Sequence, residues 1–349
     1  MRVVYHIPST DSIYAGRFIY EGYKNAFIAR GHEFATFSSG DSLRDLIDKF
    51  EPELFISSLN RHHLKYLDLE FMTKRRQDKS LVLAMQIPPW RQHSKQYQHT
   101  GLSTDKELCN LISRDRVGDI FFNWIERDDP CMEGFERTSG YQFHTVLLAA
   151  DTSRFYPELD SKFECDICYV GSNLPDKKAF LEKHLLPLEK LYKVNKYGND
   201  WTSGNRALGV IQKGAQYFNI PYLKGIRKLP LPLEDEHKLY STAKISLNVH
   251  EDHQRVYGTD FNERTLKIIA SGGFEICDNV KVLRKYFSND ELVIANNTNE
   301  WFELIRHYIN NPEERLRISQ KGRDKVLQHH TYLNRVDQFE NLLNSYKDQ

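Results

Sequence analysis

Short apolar runs alternate with longer amphipathic stretches along the chain. VVYHIP (3–8), HEFATFS (32–38), ELFISS (53–58), LVLAMQI (81–87), DIFFNWI (119–125) and FHTVLLA (143–149) read as strands. Residues 14–30 carry helical periodicity and stop at Gly31, and SLRDLIDKF (42–50) forms a second amphipathic helix. Strands this apolar on both sides, spaced by helices, predict a parallel sheet covered on both faces. The polar stretch DTSRFYP (151–157), continued by ELDSKFE (158–164), interrupts the pattern.

The alternation restarts at Asp166. ICYVGS, KVNKYG, YLKG, ISLNVH, FEICD and ELVIA are the strand-like runs. Helices are predicted over 176–192, 208–216, 234–242, from Asn262, and over 299–310, 312–328 and 332–346. No internal repeat or low-complexity segment breaks the series. The expected fold is α/β, with two doubly wound parallel-sheet domains over 1–155 and 156–331 and a hinge near 151–163. Ligands of such sheets bind outside the carboxyl ends of the strands, and two such domains leave a cleft for one.

Charge narrows the partners. Lys plus Arg number 48 and Asp plus Glu number 48, and residues 1–150 alone hold 19 basic and 20 acidic residues. That balance argues against nucleic acid or an anionic membrane as the principal partner. Lys74-Arg75-Arg76 is a local basic run, also explicable as a solvated helix end. No apolar run approaches the ~20 residues of a membrane span, and the chain starts straight into a strand without a signal-peptide core. Five scattered cysteines make no disulfide framework, and Cys165 and Cys168 on one strand point to opposite faces. The expected compartment is the cytoplasm.

The first strand–helix turn, HIPSTDSIYAGRF, lacks GxGxxG, and GxxxxGK[ST] and Asp-x-Asp are absent throughout. The architecture suits a nucleotide without the usual dinucleotide or triphosphate fingerprints. The candidate chemistry sits in FNERTLKIIASGGFEICDN (261–279). Asn262 reads as a helix cap, so Arg264 and Lys267 lie near the end that disfavours cations. An anion bound there by backbone N–H groups and the guanidinium would remove the conflict. The alternative is a surface ion pair with Glu263, Asp260 or Glu251. In VGSNLPDKK (170–178), Lys177 and Lys178 are a second candidate phosphate contact or a solvated helix face.

DICYVGS (166–172), KYGNDW (196–201), the 261–278 segment, AADTSRFYP (149–157), GHE (31–33) and the long 310–335 run together resemble one family. The chain resembles GT-B glycosyltransferases of the spore-maturation CgeB-like group, related to the group 1 transferases. The resemblance implies an acceptor domain at the N-terminus, joined by the last helix (332–349), and a nucleotide-sugar domain at the C-terminus. It implies a UDP- or GDP-sugar donor, a hexosyl group and no bound metal or other cofactor. It places Gly171, Ser172, Lys177, Tyr197, Gly198, His250, Thr259, Asp260, Asn262, Glu263, Arg264 and Lys267 among the donor contacts. Relatives carry Glu-x7-Glu where this chain has Thr259 and Lys267, so its ribose and sugar contacts must differ, with Asp260, Glu263 or Glu275 as substitutes.

An inverting reaction would need a general base. Asp11, at the end of the first strand, leads as catalytic candidate beside Arg264, with a turn or helix cap as its alternative role; His6, His93 and Glu126 follow. His250 either touches the donor or is a hydrogen-bonded strand-end histidine. Pro88-Pro89-Trp90 either stacks on an acceptor or packs between domains, and His329-His330 reads as structural. Transfer to a glycan, small molecule or protein is the expected function. A non-catalytic GT-B module binding nucleotide or glycan, and glycosylation of modified DNA bases, are the alternatives.

Overall fold

Leu54–Phe55–Ile56 and Val82–Leu83–Ala84–Met85 are buried on both faces, as strands covered by helices on each side must be. In the computed structural model, which describes residues 1–10, 15–77, 79–92, 101–218, 220–223, 225–227 and 229–348, these runs belong to a six-stranded parallel sheet. Its strands are β1 (Arg2–His6), β2 (Glu33–Phe37), β3 (Leu54–Ser58), β4 (Val82–Gln86), β5 (Ile120–Asn123) and β6 (Phe143–Thr145). A second, five-stranded parallel sheet contains β7 (Ile167–Val170), β8 (Val194–Tyr197), β9 (Ile245–Asn248), β10 (Glu275–Asp278) and β11 (Val293–Ala295).

The chain divides into one unit of Met1–Asp151 with Thr331–Gln349 and another of Thr152–His330. The first sheet runs β2-β1-β3-β4-β5-β6. One of its faces is covered by the helix Ala15–Ala29 together with the terminal helix Tyr332–Lys347, whose Tyr332, Val336, Phe339 and Leu343 enter the core beside Tyr23 and Phe27. Gly22 is required there, because any side chain would collide with the Tyr332 ring. Trp90 packs edge-to-face on Phe135 at 5.6 Å inside this unit's core. It is therefore a core side chain of this unit and not an exposed acceptor platform.

The second sheet runs β11-β10-β9-β7-β8. From β7 the chain steps out to β8, then returns past β7 to β9 and continues to β11. The strand order thus reverses between β7 and β9, the point where doubly wound sheets open a crevice at their carboxyl edge. In the first sheet the equivalent point lies between β1 and β3.

Three expectations fail locally. The helix expected over 176–192 ends at His184 and gives way to a 3-10 turn at Leu186–Lys190, because Pro187 supplies no N–H and disfavours a helical residue before it. YLKG is no strand: Tyr222 and Leu223 lie in a 3-10 turn. The helix expected over 208–216 begins earlier, at Ser203, capped by the Thr202 hydroxyl, which accepts from the Asn205 N–H at 3.2 Å.

Candidate functional site

Lys177 and Arg264 meet at the second sheet's switch point. Lys177 lies in the first turn of Pro175–His184, the helix after β7; Arg264 opens Arg264–Ala270, the second helix after β9, which follows Asp252–Tyr257. Lys177 is 4% exposed, so its ammonium is no solvated helix face; its nearest carboxylate oxygen, on Glu251, is 3.9 Å away. Burial and then the charge of Arg264 push the Lys177 pKa down to about 8. Lys178, by contrast, is exposed and pairs with Glu182 at 3.7 Å.

Arg264 forms no ion pair among the described residues. The nearby acids face other partners. Glu251 faces Lys177 and His253 (3.5 Å), Glu263 faces Lys267 (3.5 Å), and Asp260 accepts from Gln254 (3.3 Å) and Thr259 (3.5 Å). The guanidinium donates to Asn248 Oδ1 at 2.9 Å and sits over the Tyr169 ring at 6.0 Å. Two cations thus converge on one edge, with Glu251 and Glu263 near them but no carboxylate in an ion pair with Arg264 among the described residues. A buried cation of this kind costs roughly 3 kcal/mol at neutral pH if its pKa falls from 10.5 to about 8. Lys177→Met, which keeps the packing and removes the charge, is expected to raise the melting temperature of the ligand-free protein by a few degrees. An unchanged or lower value in a thermal unfolding scan would count against a penalised ammonium.

Asn248, the last residue of β9, organises this edge and is fully buried. Its Nδ2, with two hydrogens to share, lies within hydrogen-bond distance of Asn262 Oδ1 (3.0 Å), Thr265 Oγ1 (2.9 Å) and Glu275 Oε1 (2.9 Å). Its Oδ1 accepts from Asn262 and Arg264. Asn262 Oδ1 in turn accepts the Arg264 backbone N–H at 3.1 Å, an Asx-type turn; the helix cap falls one residue later than expected, at Glu263, whose side chain makes no cap bond. Burial raises the Glu275 carboxyl to about 7, against hydrogen bonds from Asn248 and Thr265 that lower it.

Lys267 does not join Arg264 as an unpaired cation. It is buried, with Glu236 Oε1 at 3.7 Å, Glu263 Oε1 at 3.5 Å and the Phe155 ring at 5.4 Å. Burial pushes the Glu263 carboxyl up, but Lys267 and Arg264 outweigh it and hold the group below its ordinary value. At the position where the sequence resemblance implied an acid, this chain has a base that balances two acids. Thr259, eight residues earlier, is buried, its hydroxyl donating to Asp260 Oδ1 at 3.5 Å.

His250 follows β9 and is fully buried. Its Nδ1 lies 2.6 Å from Asp278 Oδ1, and its backbone N–H donates to the same carboxylate at 3.0 Å. Burial alone would raise Asp278, but the imidazole, its hydrogen bonds and Arg255 hold it low. His250 Nε2 has no partner among the described residues. Gly171 and Ser172, after β7, pack against Gly198 and Asn199, after β8: the Gly171 N–H donates to Tyr197 O (2.8 Å) and the Asn173 N–H to Asn199 O (2.9 Å). Trp201 Nε1 donates to Gly171 O at 3.0 Å.

In the first unit, Asp11 and His93 lie outside the described residues. His6 ends β1, with Nδ1 2.9 Å from Ser57 Oγ and its ring 4.9 Å from that of His63. Burial, then the two neighbouring histidines, push His6 down to about 3 and burial pushes His63 to about 4. These rings are neutral at physiological pH, which makes His6 a weak base. Their folded values lie below the free value, so the stability they confer is complete above about pH 6.5 and is lost as pH falls. At about pH 4.5 His6 alone should cost close to 3 kcal/mol. Denaturant titrations at the two pH values should show that loss in the native chain and a smaller one in His6→Gln. Glu126, in the turn after β5, is partly exposed. The Lys74-Arg75-Arg76 run is neutralised by Glu70, Asp48 and Asp119 respectively.

Solved structures place this architecture. Sucrose-phosphate synthase from Thermosynechococcus elongatus aligns over 99% of this chain and 98% of its own, with TM-score 0.64 and 12% identity. An alpha-glucosyltransferase solved with UDP and a 13-mer DNA containing an HMU base aligns over 99% of both chains (TM-score 0.64, 12% identity). The catalytic domain of starch synthase IV from Arabidopsis thaliana, bound to ADP and acarbose, aligns over 100% of this chain and 99% of its own (TM-score 0.62, 11% identity). The fold is GT-B. Residues 178–341 of this GT-B chain, which include Arg264, Lys267, His250 and the Gly272-Gly273 turn, match the family described as glycosyl transferase-like. No curated protein matches the sequence. Among the described residues no cluster of His, Cys, Asp and Glu is arranged to hold a metal ion, and no helix is long and apolar enough to cross a membrane.

Proposed function

We propose that the carboxyl edge of the second sheet binds the diphosphate of a nucleotide-sugar, and that the chain transfers the sugar to an acceptor without a bound metal. The observation that carries this reading is the buried Lys177 ammonium close enough to the half-buried Arg264 guanidinium to feel its charge, with the nearest carboxylate oxygen to the ammonium 3.9 Å away and Arg264 in no ion pair among the described residues. Two fixed cations at a switch point stabilise charge developing on a departing diphosphate at little reorganisation cost. The UDP and ADP in the GT-B structures cited above favour such a donor, and a hexosyl group and a CgeB-like affiliation follow from the sequence resemblance. Asp11 is assigned as the base toward the acceptor and Arg264 as the electrostatic catalyst.

The test is a thermal-shift and calorimetric panel of UDP-, GDP-, ADP- and TDP-sugars with their diphosphates and free nucleosides. One diphosphate series should stabilise the protein by about 2–3 kcal/mol at a hundredfold excess over its dissociation constant, and a chelator should leave the effect intact. Silence toward every diphosphate would remove the proposal. Alkaline pH offers an independent check. With Lys177 near pKa 8 in the free protein, a bound diphosphate must raise that value. Affinity should therefore fall as pH rises above about 8, and Lys177→Arg, always charged, should flatten that dependence.

A further inference from the structure

The helix Ser203–Tyr217, which follows edge strand β8, turns an apolar stripe to solvent. Val210 is 71% exposed, Ile211 45%, Tyr217 84% and Phe218 71%; Tyr222, in the next turn, is 82% exposed. At 100° per residue the four helical side chains fall on one arc, with Gly214 open between them and Ala207 a turn earlier. The opposite face, carrying Gln212 and Ala215, is the buried one. An amphipathic helix normally does the reverse of this, covering its apolar arc. The large exposed apolar residues elsewhere in the chain are singles or lie apart, which is ordinary for a surface.

The charge around the stripe is one-sided. Residues 201–233 contain five basic residues and no acidic one, in a chain of zero net charge. Arg206 and Lys213 lie along one margin of the apolar arc, and Lys213 forms no ion pair among the described residues. Arg227 is paired with Asp200 at 2.5 Å. We infer that this face docks on an anionic lipid surface, its Tyr and Phe side chains entering the headgroup boundary and its cations meeting the lipid phosphates. The same charges disfavour a second copy of the chain as occupant, because a self-facing stripe would bring Arg206 and Lys213 of both copies together with no acid to pair. This docking surface is independent of the donor site.

Vesicle co-sedimentation tests it, using phosphatidylglycerol and phosphatidylcholine in equal parts against phosphatidylcholine alone. The full chain should partition onto the anionic vesicles and release in high salt. Arg206→Glu with Lys213→Glu should reduce the partition at least about ten-fold, and Val210→Ser with Phe218→Ser should do the same by removing the inserted area. All four positions are exposed, so circular dichroism and melting temperature should stay unchanged. Equal partition of either double variant and the native chain would overturn the proposal, as would binding to neither vesicle. Concentration-dependent dimerisation abolished by Val210→Ser with Phe218→Ser would assign the stripe to a second copy instead.

Discussion

Arg264→Ala should weaken binding of the cognate nucleoside diphosphate by about 10- to 100-fold, the worth of one charge-assisted contact to phosphate, and leave the free nucleoside within about two-fold. Lys177→Ala should behave alike. Because both cations address one diphosphate, their losses should not add, and a double-mutant cycle should return a coupling of about 1 kcal/mol or more. Catalysis should suffer more than binding, since the leaving group gains charge in the transition state. Calorimetry with the diphosphate and the nucleoside side by side decides the matter. Equal losses for the two ligands would mean that Arg264 serves the fold through Asn248 and does not address phosphate.

That distinction matters because Arg264 has a structural partner invisible in the sequence. A cation in the first turn of a helix was legible as an anomaly, since Asn262 and Gly272-Gly273 bracket the helix with local signals. Asn248 was not. Its role depends on Asn262, Thr265 and Glu275 converging from 14, 17 and 27 residues away, which no periodicity encodes. Only its chemistry hinted at it: a polar amide closing the apolar run ISLN in a fully buried strand. Lys267 divides the same way. Its spacing from Glu263 is a plain i,i+4 pair, whereas Glu236 reaches it from another helix.

The alternation of strands and helices announced both parallel sheets, because burial on two faces forces near-continuous apolar runs. Strand order was a different matter. The crossing from β8 back to β9 spans the helix Ser203–Tyr217, whose three glycines and outward apolar stripe blur the periodicity that normally marks a helix. Buried charge was also hidden: Lys177 next to Lys178 reads as a solvated pair until the helix phase turns one inward.

Gly198→Ala should be among the most damaging single changes in the second unit. Gly198 has φ +143°, a region that side-chain-bearing residues rarely adopt, and a Cβ there would collide with the Gly171 carbonyl and sit 2.9 Å from Ser172 N. Neither neighbour is a flexible side chain. The strain of the backbone alone is about 1–3 kcal/mol, and relieving the collision means separating the Gly171–Asn173 turn from the Gly198–Asn199 turn. Their hydrogen bonds, Gly171 to Tyr197 and Asn173 to Asn199, would lengthen with it. A total loss of roughly 3–5 kcal/mol is expected, read as a lower denaturation midpoint. The displaced Asn173 leads directly into the helix that carries Lys177, so diphosphate binding should fall even below the unfolding temperature. Asn199→Ala, which leaves the backbone bonds in place, should cost far less on both measures. Comparable losses in the two variants would show that side-chain contacts hold these turns, and that the close backbone approach requiring glycine does not.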